Sequence, residues 1–486
     1  MKRVLKAFHV ALPTVLAVAL LPACSSEPAV NITAAPKEAA KDAPKDNKPQ
    51  ASAGTPAAQA ATKIKIWTQN RHDQVYMTDK IAKFNKENKD GIEIDYQMYT
   101  DNYIQTLDMA FATNDAPDII QDGQNALKKY YPMGFAAPLD SYLKPEDKAR
   151  YGPGAFVDNI NMYDGKIYSM PLSGTTTRLI YNKGIFKKAG IAAPPKTLAE
   201  LVDTAKTITD KLKGEGIYGY AQNFKSPASA LQRSIDMIVT RDGGVEAGYD
   251  FATGKFDFAS YKPVLQAYRD MFVKGAMFPG TESLDIDPLR TQFAAGKIGM
   301  YISWTHAEPG VYKDQFPTKE DWDVAPLPTA DGTAKGSQML QGGTGYFMNA
   351  KSKNLDKAWK VMQYLYSDDV EIGYHEAGYG SIMIPTVLQK AKQPDTIKQR
   401  PGLAFTDSDK LWPAIPLNVK PEGQDMYQVF VGYMLGAKEY SDLDKTLEDL
   451  KTRYNTAFDK AVADGSSKRI VYAGFDPKDP TKAMNK

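Results

Sequence analysis

The chain contains little cysteine and histidine and carries almost no net charge. It has 486 residues but a single cysteine, Cys24, so no internal disulfide bond can form. Four histidines are present, and His9 falls in an apolar N-terminal stretch. The formal net charge is +2, and no Lys/Arg cluster alternates with aromatic residues. This composition gives no electrostatic reason to expect a nucleic-acid partner, and the length favours two or more domains.

The sequence also lacks the common catalytic and metal-binding signatures. His375-Glu376 begins like the zinc motif H-E-x-x-H, but residue 379 is a tyrosine. Residues 378–381 (Gly-Tyr-Gly-Ser) have the wrong spacing for a G-x-S-x-G elbow, and no G-x-x-x-x-G-K-S/T phosphate loop occurs. We therefore predict no catalytic residue, no metal and no cofactor. A glycosidase needs only two carboxylates, however, and no sequence pattern excludes such a pair.

Residues 1–23 have the pattern of an export signal. Basic residues in the first six positions precede an apolar stretch over 7–21, which is shorter than the roughly 20 residues that a membrane-spanning helix needs. Residues 21–24 (Leu-Pro-Ala-Cys) resemble a bacterial lipobox and predict a lipid on Cys24. Pro22 departs from the residue usual at its position, and ordinary secretion with cleavage after the same small residues is the alternative.

Residues 24–62 predict a disordered tether. They consist largely of Ala, Pro, Lys, Asp and Gln and contain no aromatic residue. A segment of this kind cannot bury enough apolar surface to offset the entropy lost on ordering. We therefore expect the folded part to begin at Lys63.

Beyond the tether, segments typical of strands and helices alternate. Apolar residues alternate with polar ones over 63–67 and 92–96, and 116–120 has the character of a third strand. The stretches 73–88 and 103–111 carry helical spacing instead. This alternation predicts a mostly parallel, doubly wound α/β sheet. Ligands bind such sheets beyond the carboxyl ends of the strands.

The most informative block lies at 179–212. A short apolar run at its start predicts a buried strand, and Asn182 follows. After a turn through a Pro-Pro pair, Thr197 and Glu200 form a T-x-x-E capping box. The apolar residues of 198–212 then fall on one helical face.

Three blocks carry a family resemblance. Residues 179–197 follow the pattern Y-N-K-x-x-F-x-x-x-G…P-P-x-T, and 164–171 follow D-G-K-x-Y-x-x-P. Residues 292–304 follow F-x-x-G-K-x-A-M-x-x-x-x-W, with Gly299 where alanine is usual. These blocks resemble the family 1 extracellular solute-binding proteins, the maltose-binding-protein-like, sugar-binding lipoproteins of bacterial ABC importers. The resemblance extends from residue 63 almost to the C terminus.

The resemblance implies an α/β, two-lobed periplasmic-binding-protein-like fold of type II. Each lobe would be a doubly wound, mostly parallel sheet flanked by helices, with hinge crossovers between the lobes. The N-terminal lobe would comprise 63–173 and 342–395, and the C-terminal lobe 174–341 and 396–486. The protein would be an exported, lipid-anchored and monomeric receptor on the outer side of the cell membrane. It would capture a carbohydrate, with an oligosaccharide favoured, and deliver it to the transmembrane subunits of an ABC permease.

Candidate ligand-binding residues follow from the chemistry of sugars. A sugar offers hydroxyl groups around its rim and an apolar C–H face, which polar side chains and aromatic rings complement. Such residues stand at predicted strand ends and crossovers. The expected ligand-binding residues are Trp67, Asn70, Arg71, His72, Asp73, Gln121, Asp122, Thr175, Thr176, Arg178, Asn223, Trp304, His306, Gly342, Gly343 and Trp412.

Several candidates have a structural alternative. Trp67 lies in an alternating strand and suits the core as well as a ligand platform. His72 and Asp73 suit the cap of the following helix, and Arg178 suits an ion pair at the hinge. Trp304 is the preferred candidate, because both its position and its chemistry fit stacking on a sugar.

Two rival functions also stay open at the level of sequence. One is a secreted polysaccharide-degrading enzyme, which hydrolysis would distinguish from a receptor. The other keeps the fold but binds a non-sugar solute, such as a polyamine or a phosphate ester. Arg71 and Arg178 also leave an acidic sugar possible.

Overall fold

The computed structural model describes residues 61–99, 102–152 and 155–484. The predicted export segment, Cys24 and the tether lie outside these described residues. None of the helices in the described ranges combines the length and the apolar character that a bilayer crossing requires.

Most strands are short, and the longest ones lie where the sequence predicts them. The strands are β1 (Thr62–Thr68), β2 (Ile92–Met98), β3 (Ile119–Gln121), β4 (Met162–Tyr163), β5 (Lys166–Ile167), β6 (Ser173–Gly174), β7 (Thr177–Asn182), β8 (Tyr218–Tyr220), β9 (Tyr249–Asp250), β10 (Lys255–Phe256), β11 (Ile298–Trp304), β12 (Trp322–Ala325), β13 (Gln338–Leu340), β14 (Tyr346–Met348), β15 (Ser381–Ile382) and β16 (Asp409–Leu411).

The helices range from single turns to the long helix near the C terminus. They are α1 (Gln74–Glu87), α2 (Tyr103–Ala112), α3 (Ala126–Tyr130), α4 (Pro145–Ala149), α5 (Lys183–Ala189), α6 (Leu198–Leu212), α7 (Pro227–Arg233), α8 (Ile235–Arg241), α9 (Lys262–Val273), α10 (Ile286–Ala294), α11 (Ala307–Gly310), α12 (Leu355–Leu365), α13 (Asp368–Glu376), α14 (Pro385–Leu388), α15 (Asp395–Gln399), α16 (Met426–Leu435), α17 (Leu443–Ala463) and α18 (Thr481–Met484).

Two four-stranded sheets organise the fold. Sheet I has the order β14-β3-β1-β2, and sheet II has the order β12-β7-β11-β8. In sheet I, β1 is parallel to β2 and β3, and only the edge strand β14 is reversed. In sheet II the reversed strand is β7, which lies inside the sheet and pairs antiparallel with both β11 and β12. Three of the four strands of each sheet thus share a direction, although most pairs in sheet II are antiparallel.

Each sheet carries its own hydrophobic core. Adjacent residues of β1, such as Ile66 and Trp67, belong to separate buried clusters, one on each face of sheet I. The neighbours Leu179 and Ile180 of β7 divide in the same way between two clusters on sheet II. This alternation follows from the two-residue period of a strand, and helices cover both faces of each sheet. We call the part built on sheet I the first lobe and the part built on sheet II the second lobe.

The block at 179–212 folds as its sequence predicts. The hydroxyl of Thr197 accepts a hydrogen bond from the backbone N–H of Glu200 at 3.0 Å, and a carboxylate oxygen of Glu200 accepts one from the backbone N–H of Thr197 at 3.2 Å. The predicted capping box of α6 is therefore confirmed. The side chain of Asn182 accepts a hydrogen bond from the N–H of Ile185 at 2.9 Å and caps α5. Asn182 thus has the structural role that its position before the helix suggests.

Two chain segments cross side by side between the lobes. Thr175 and Gln341 exchange backbone hydrogen bonds of 2.7 and 2.8 Å, so the outgoing and returning segments form a short antiparallel pair. A Cβ atom on Gly342 would lie 2.6 Å from the sulfur of Met383 and 3.0 Å from the Cα of Gly174. The crossing therefore needs glycine, because no side chain fits between the two segments.

A buried ion pair joins β7 of the second lobe to β16. The guanidinium of Arg178 on β7 donates two hydrogen bonds to the carboxylate of Asp409 on β16, at 3.0 and 2.8 Å. Its Nε also donates to the carbonyl of Gly402 at 3.0 Å. The side chains of Arg178 and Asp409 are 6% and 0% exposed, so the pair is well shielded from water.

Replacing Asp409 with asparagine should destabilise the fold, because it leaves the guanidinium of Arg178 buried without its countercharge. We expect the free energy of unfolding to fall by about 3–5 kcal/mol. As a control, Lys206→Ala removes one partner of the exposed pair with Asp210 on α6 and should leave stability nearly unchanged. Urea denaturation followed by circular dichroism compares the two variants. Equal losses would contradict a structural role for the buried pair.

Candidate functional site

A chamber of about 190 Å³ lies where the strand ends of sheet I meet the crossing segments. Half of the expected ligand-binding residues line it. These are Asn70, His72, Asp73, Gln121, Asp122, Thr175, His306 and Gly342. The chamber thus brings together residues from the first lobe, the crossing segments and the second lobe.

Parallel pairing explains why the first-lobe residues converge. β1 and β3 are parallel neighbours, so the residues that follow each strand emerge at the same edge of sheet I. The side-chain carbonyl of Gln121 accepts a hydrogen bond from the backbone N–H of Gln69 at 3.2 Å and links the two strand ends. Asp122 accepts a hydrogen bond from the N–H of Leu127 at 2.7 Å. Burial nevertheless raises the pKa of the Asp122 carboxyl.

His72, Asp73 and Tyr374 form a buried hydrogen-bonded chain at the wall of the chamber. The phenol of Tyr374 donates to Asp73 Oδ2 at 2.9 Å, and His72 Nε2 lies 3.1 Å from the same phenol oxygen. Asp73 precedes α1, but its side chain makes no capping hydrogen bond to that helix. Burial raises the pKa of Asp73 and lowers the pKa of His72, and the attraction between these two groups opposes both shifts.

His306 brings the second lobe to the chamber. Its Nδ1 lies 2.7 Å from the hydroxyl of Thr175, and its ring meets the ring of His72 edge to face, with 4.7 Å between centroids. Burial lowers the pKa of His306, and His72, Arg290 and Arg233 lower it further. Two imidazoles from opposite lobes thus meet in an environment that favours their neutral forms.

Further contacts join the lobes beside the two histidines. Arg71 pairs with Asp287 at 2.7 Å, and the carbonyl of Arg71 accepts a hydrogen bond from the side chain of Gln315 at 2.8 Å. The phenol of Tyr379 donates to Asp314 at 2.9 Å. The lobes therefore touch directly, and the small chamber is that of a closed cleft. Its volume is below the roughly 300–1,000 Å³ usual for small-molecule sites.

Four of the expected binding residues have their polar atoms directed to other protein groups. Thr176 is fully buried, and its hydroxyl donates to the carbonyl of Met339 at 2.9 Å. Arg178 forms the ion pair with Asp409 described above, which is the structural alternative that its sequence position allows. Asn223 is fully buried behind β8, and the carbonyl of Gly343 accepts a hydrogen bond from Asn161 at 2.6 Å. None of these four residues is among the described residues that line the chamber.

The three tryptophans among the expected residues also lie outside the chamber lining. Trp67 is 6% exposed and packs in the core of the first lobe, with its ring 4.4 Å from that of Tyr99. Trp412 is buried in the second lobe, and its Nε1 donates to the hydroxyl of Ser337 at 3.0 Å. Trp412 borders a separate cavity of about 410 Å³. Trp304 is half-buried at the carboxyl end of β11, where the sequence places it.

Sequence reasoning missed much of the chamber wall. Glu371 and Tyr374 come from α13, where an i, i+3 spacing puts them on one helical face. A buried glutamate inside an apolar helical face is the signal that could have identified them. Four further lining residues lie in segments that the sequence places at strand ends and crossovers, although they are not among the expected contacts: Gln69, Gly123, Gly174 and Thr344. The remaining missed residues are Met77, Leu172, Ser173, Gln341, Gly345, Tyr346 and Leu365.

The chamber holds no arrangement suited to a metal. Within the described ranges, no group of three or more His, Cys, Asp or Glu side chains is placed to hold a metal ion. The chemistry available at the wall is hydrogen bonding by amides, hydroxyls and carboxyls, together with the faces of two tyrosine rings.

Two lobes, each with its own sheet and core, joined by crossing segments around a polar chamber, define a two-lobed ligand-binding protein of the type II periplasmic-binding fold. The family model described as "Bacterial extracellular solute-binding protein" matches residues 68–372. The chain belongs to this family.

Individual relatives agree with this assignment. A binding protein of Brucella abortus (strain 2308) is 28% identical over 343 residues, covering 68% of this chain and 77% of the relative. The diacetylchitobiose binding protein of Streptomyces coelicolor is 26% identical over 313 residues, covering 62% of this chain and 68% of the relative. An ABC transporter solute-binding protein of Thermotoga lettingae, solved with alpha-D-tagatose, superposes with a TM-score of 0.64 at 22% identity, covering 82% of this chain and 100% of that one. That likeness shows the shared fold.

Acidification should open the cleft. The pKa values of His72 and His306 are lowered in the closed structure, so this form binds fewer protons than one in which both rings meet water. The two rings therefore favour closure above the ordinary histidine pKa of about 6.5 and oppose it as the pH falls below that value. The raised pKa values of Asp73, Asp122 and Glu371 act in the opposite direction, so the comparison of variants below isolates the histidine contribution. Small-angle X-ray scattering of the ligand-free protein should show a radius of gyration that grows between pH values of about 7 and 5.

Two variants test the origin of this response. His306→Gln removes one of the facing rings and should flatten the pH profile. His375→Gln removes a buried histidine of α13 in the first lobe, whose pKa is also lowered, and should keep the wild-type profile. A radius that does not change with pH, or an unchanged response in His306→Gln, would contradict the prediction.

Proposed function

We propose that this protein is the substrate-capturing receptor of an ABC importer and that its ligand is a carbohydrate, with an oligosaccharide favoured. The observation that carries the proposal is the polar chamber at the strand ends of sheet I, closed by the second lobe. Membership of the solute-binding family supports the receptor role, since a receptor binds its solute without converting it.

The lining favours a ligand rich in hydroxyl groups. Gln69, Asn70 and Gln121 offer amide donors and acceptors, and Asp122 offers carboxylate acceptors. Tyr346 and Tyr374 add aromatic surface that suits the C–H face of a sugar ring. The sugars bound by the Streptomyces and Thermotoga relatives support the same ligand class.

The charges around the cleft disfavour two of the alternatives. No lysine or arginine is among the described residues that line the chamber, although an anionic ligand would call for one. Arg71 pairs with Asp287, and Arg178 pairs with Asp409. A phosphate ester or an acidic sugar is therefore the weaker proposal. The set of proposed ligand contacts omits the expected residues that are buried or engaged elsewhere: Trp67, Thr176, Arg178, Asn223, Gly343 and Trp412.

We further propose how the receptor works in the cell. The lobes, comprising 63–173 with 342–395 and 174–341 with 396–486, would open and close about the crossing segments. The closed form would then dock on the permease as a monomer. A lipid on Cys24 and the tether of 24–62 would keep the receptor near the outer face of the membrane and raise its effective concentration at the permease.

A ligand screen tests the receptor role. Thermal unfolding of the purified protein is compared with neutral oligosaccharides, uronates, glycerol phosphates and diamines. A ligand that binds only the folded state, at a hundredfold over its dissociation constant, stabilises by about 2.7 kcal/mol and raises the melting temperature clearly. We expect the shift with a carbohydrate that chromatography then recovers unchanged. Cleavage of the sugar would instead identify an enzyme.

Three variants test where the ligand binds. Asn70→Ala removes an amide from the chamber wall and should reduce the shift, whereas Gln399→Ala removes an exposed amide at the end of α15 and should not. Trp304→Ala should also reduce the shift if the ring at the end of β11 stacks on the ligand. A normal ligand shift in Asn70→Ala would contradict the chamber as the binding site, and a normal shift in Trp304→Ala would contradict stacking of the ligand on that ring.

A further inference from the structure

Three carboxyl groups line the same small chamber. Asp73 and Glu371 are each 3% exposed, and Asp122 is partly buried. Oδ1 of Asp73 and Oε2 of Glu371 have no hydrogen-bond partner among the described residues, although both atoms are buried. Buried polar atoms are almost always paired, so these two oxygens have acceptor capacity that the protein leaves unused.

No lysine or arginine contacts the carboxyls of this wall within the described residues, and burial favours the neutral form of His72, whose Nε2 lies 3.9 Å from Asp73 Oδ2. Arg150, whose charge acts on Glu371, donates to Asp368 at 2.8 Å and to the carbonyl of Tyr366 at 2.9 Å. Arg290 is held by Glu308 at 2.7 Å. Both arginines are thus engaged with other acceptors, and the chamber lining contains neither arginine nor lysine.

The surroundings of the wall disfavour uncompensated negative charge. Burial raises the pKa of Asp73, and it raises that of Glu371 well above its ordinary value; the charge of Arg150 opposes the shift of Glu371 and the charge of Asp73 adds to it. A hydroxyl group could satisfy the free oxygens but would bring no charge. An ammonium group supplies both the hydrogen-bond donors and the compensating charge, which makes it the better partner for two buried carboxylates.

We propose that the ligand presents a primary ammonium group to Asp73 and Glu371. The group belongs either to an amino sugar or to an aliphatic amine, since the chemistry at the wall is the same for both. An amino sugar combines this contact with the hydroxyl-binding amides of the chamber, and that part rests on the proposed carbohydrate function. The ammonium contact itself depends only on the carboxyl wall.

Calorimetric titration of the purified full chain with matched pairs of compounds tests the proposal. The members of each pair differ only by amino groups in place of hydroxyls. One group differs between glucosamine and glucose and between galactosamine and galactose; two differ between the β-1,4-linked glucosamine dimer and cellobiose and between putrescine and 1,4-butanediol. We expect at least one amine to bind about tenfold or more tightly than its hydroxyl partner. Equal or tighter binding by the hydroxyl members, or no binding by any amine, overturns the proposal.

The same titrations separate this proposal from the carbohydrate function. If only putrescine binds, the ammonium contact stands and the carbohydrate function fails. If only neutral sugars bind, the carbohydrate function stands and the ammonium contact fails. Preferential binding of an amino sugar supports both.

Proton release gives a second readout on the unmodified protein. An ammonium group lowers the pKa of the carboxyls that it contacts, so binding an amine should release protons and the affinity should rise between pH values of about 5 and 7. The charged groups that face Glu371 are Asp73 and Arg150. Asp73 also faces His72, whose pKa is lowered by burial. The phenols around Glu371 stay neutral throughout this range: Tyr76, Tyr151, Tyr346, Tyr366 and Tyr374. Titration in two buffers of different ionisation enthalpy measures the released protons. Uptake of protons, or no exchange, counts against the contact.

Variants assign the contact to Glu371. Glu371→Gln should lower the affinity for the preferred amine about tenfold or more and leave that for its hydroxyl partner little changed. Glu376→Gln on the same helix alters an exposed carboxylate and should change neither. If Glu371→Gln does not fold by circular dichroism, Asp73→Asn replaces it with the same expectation. An unchanged preference for the amine in the folded variant overturns the assignment.

Discussion

The backbone pairing of Thr175 with Gln341 is the constraint on which the arrangement of the two lobes depends. The outgoing and returning segments are held together by two hydrogen bonds, and Gly174 and Gly342 allow them to approach without side chains between them. His306, which reaches the chamber from the second lobe, contacts the hydroxyl of Thr175 in this pair. A rigid, narrow crossing of this kind allows rotation of the lobes while it keeps their polar faces aligned.

The unsatisfied polar groups of the chamber wall can contribute to the binding free energy of a ligand that pairs with them. A buried carboxyl oxygen without a partner costs free energy in the empty site, whether the group stays charged or takes up a proton. The surrounding fold offsets this cost with two separate hydrophobic cores and with satisfied buried pairs such as Arg178 with Asp409. A ligand that completes the hydrogen bonds of Asp73 and Glu371 therefore gains more than one that merely fills the volume.

The sequence predicted local structure well, because local signals depend on neighbouring residues. The capping box of α6, the strand β11 and the carboxyl end of β1 could all be read from short patterns of polarity. Burial, and the pairing of residues that lie far apart in the sequence, could not be read from such patterns. Asp409 lies 231 positions after Arg178, and no sequence motif indicates that these two residues form an ion pair. Trp67 and Trp412 suit a ligand platform by chemistry, yet only the packing around them shows that they are buried in the lobes.

The contacts that hold the lobes together are individually weak, and this weakness has a functional consequence. The side chains of Arg71 and Asp287 are 37% and 28% exposed, so solvent screening limits their ion pair to about 1 kcal/mol or less. The facing rings of His72 and His306 contribute no charge attraction. Moving a two-state equilibrium from mostly open to mostly closed takes about 5.5 kcal/mol of differential binding. Contacts of this size hold the lobes together only marginally, so protonation of the two histidines and binding of a ligand in the polar chamber both shift how often the cleft is closed.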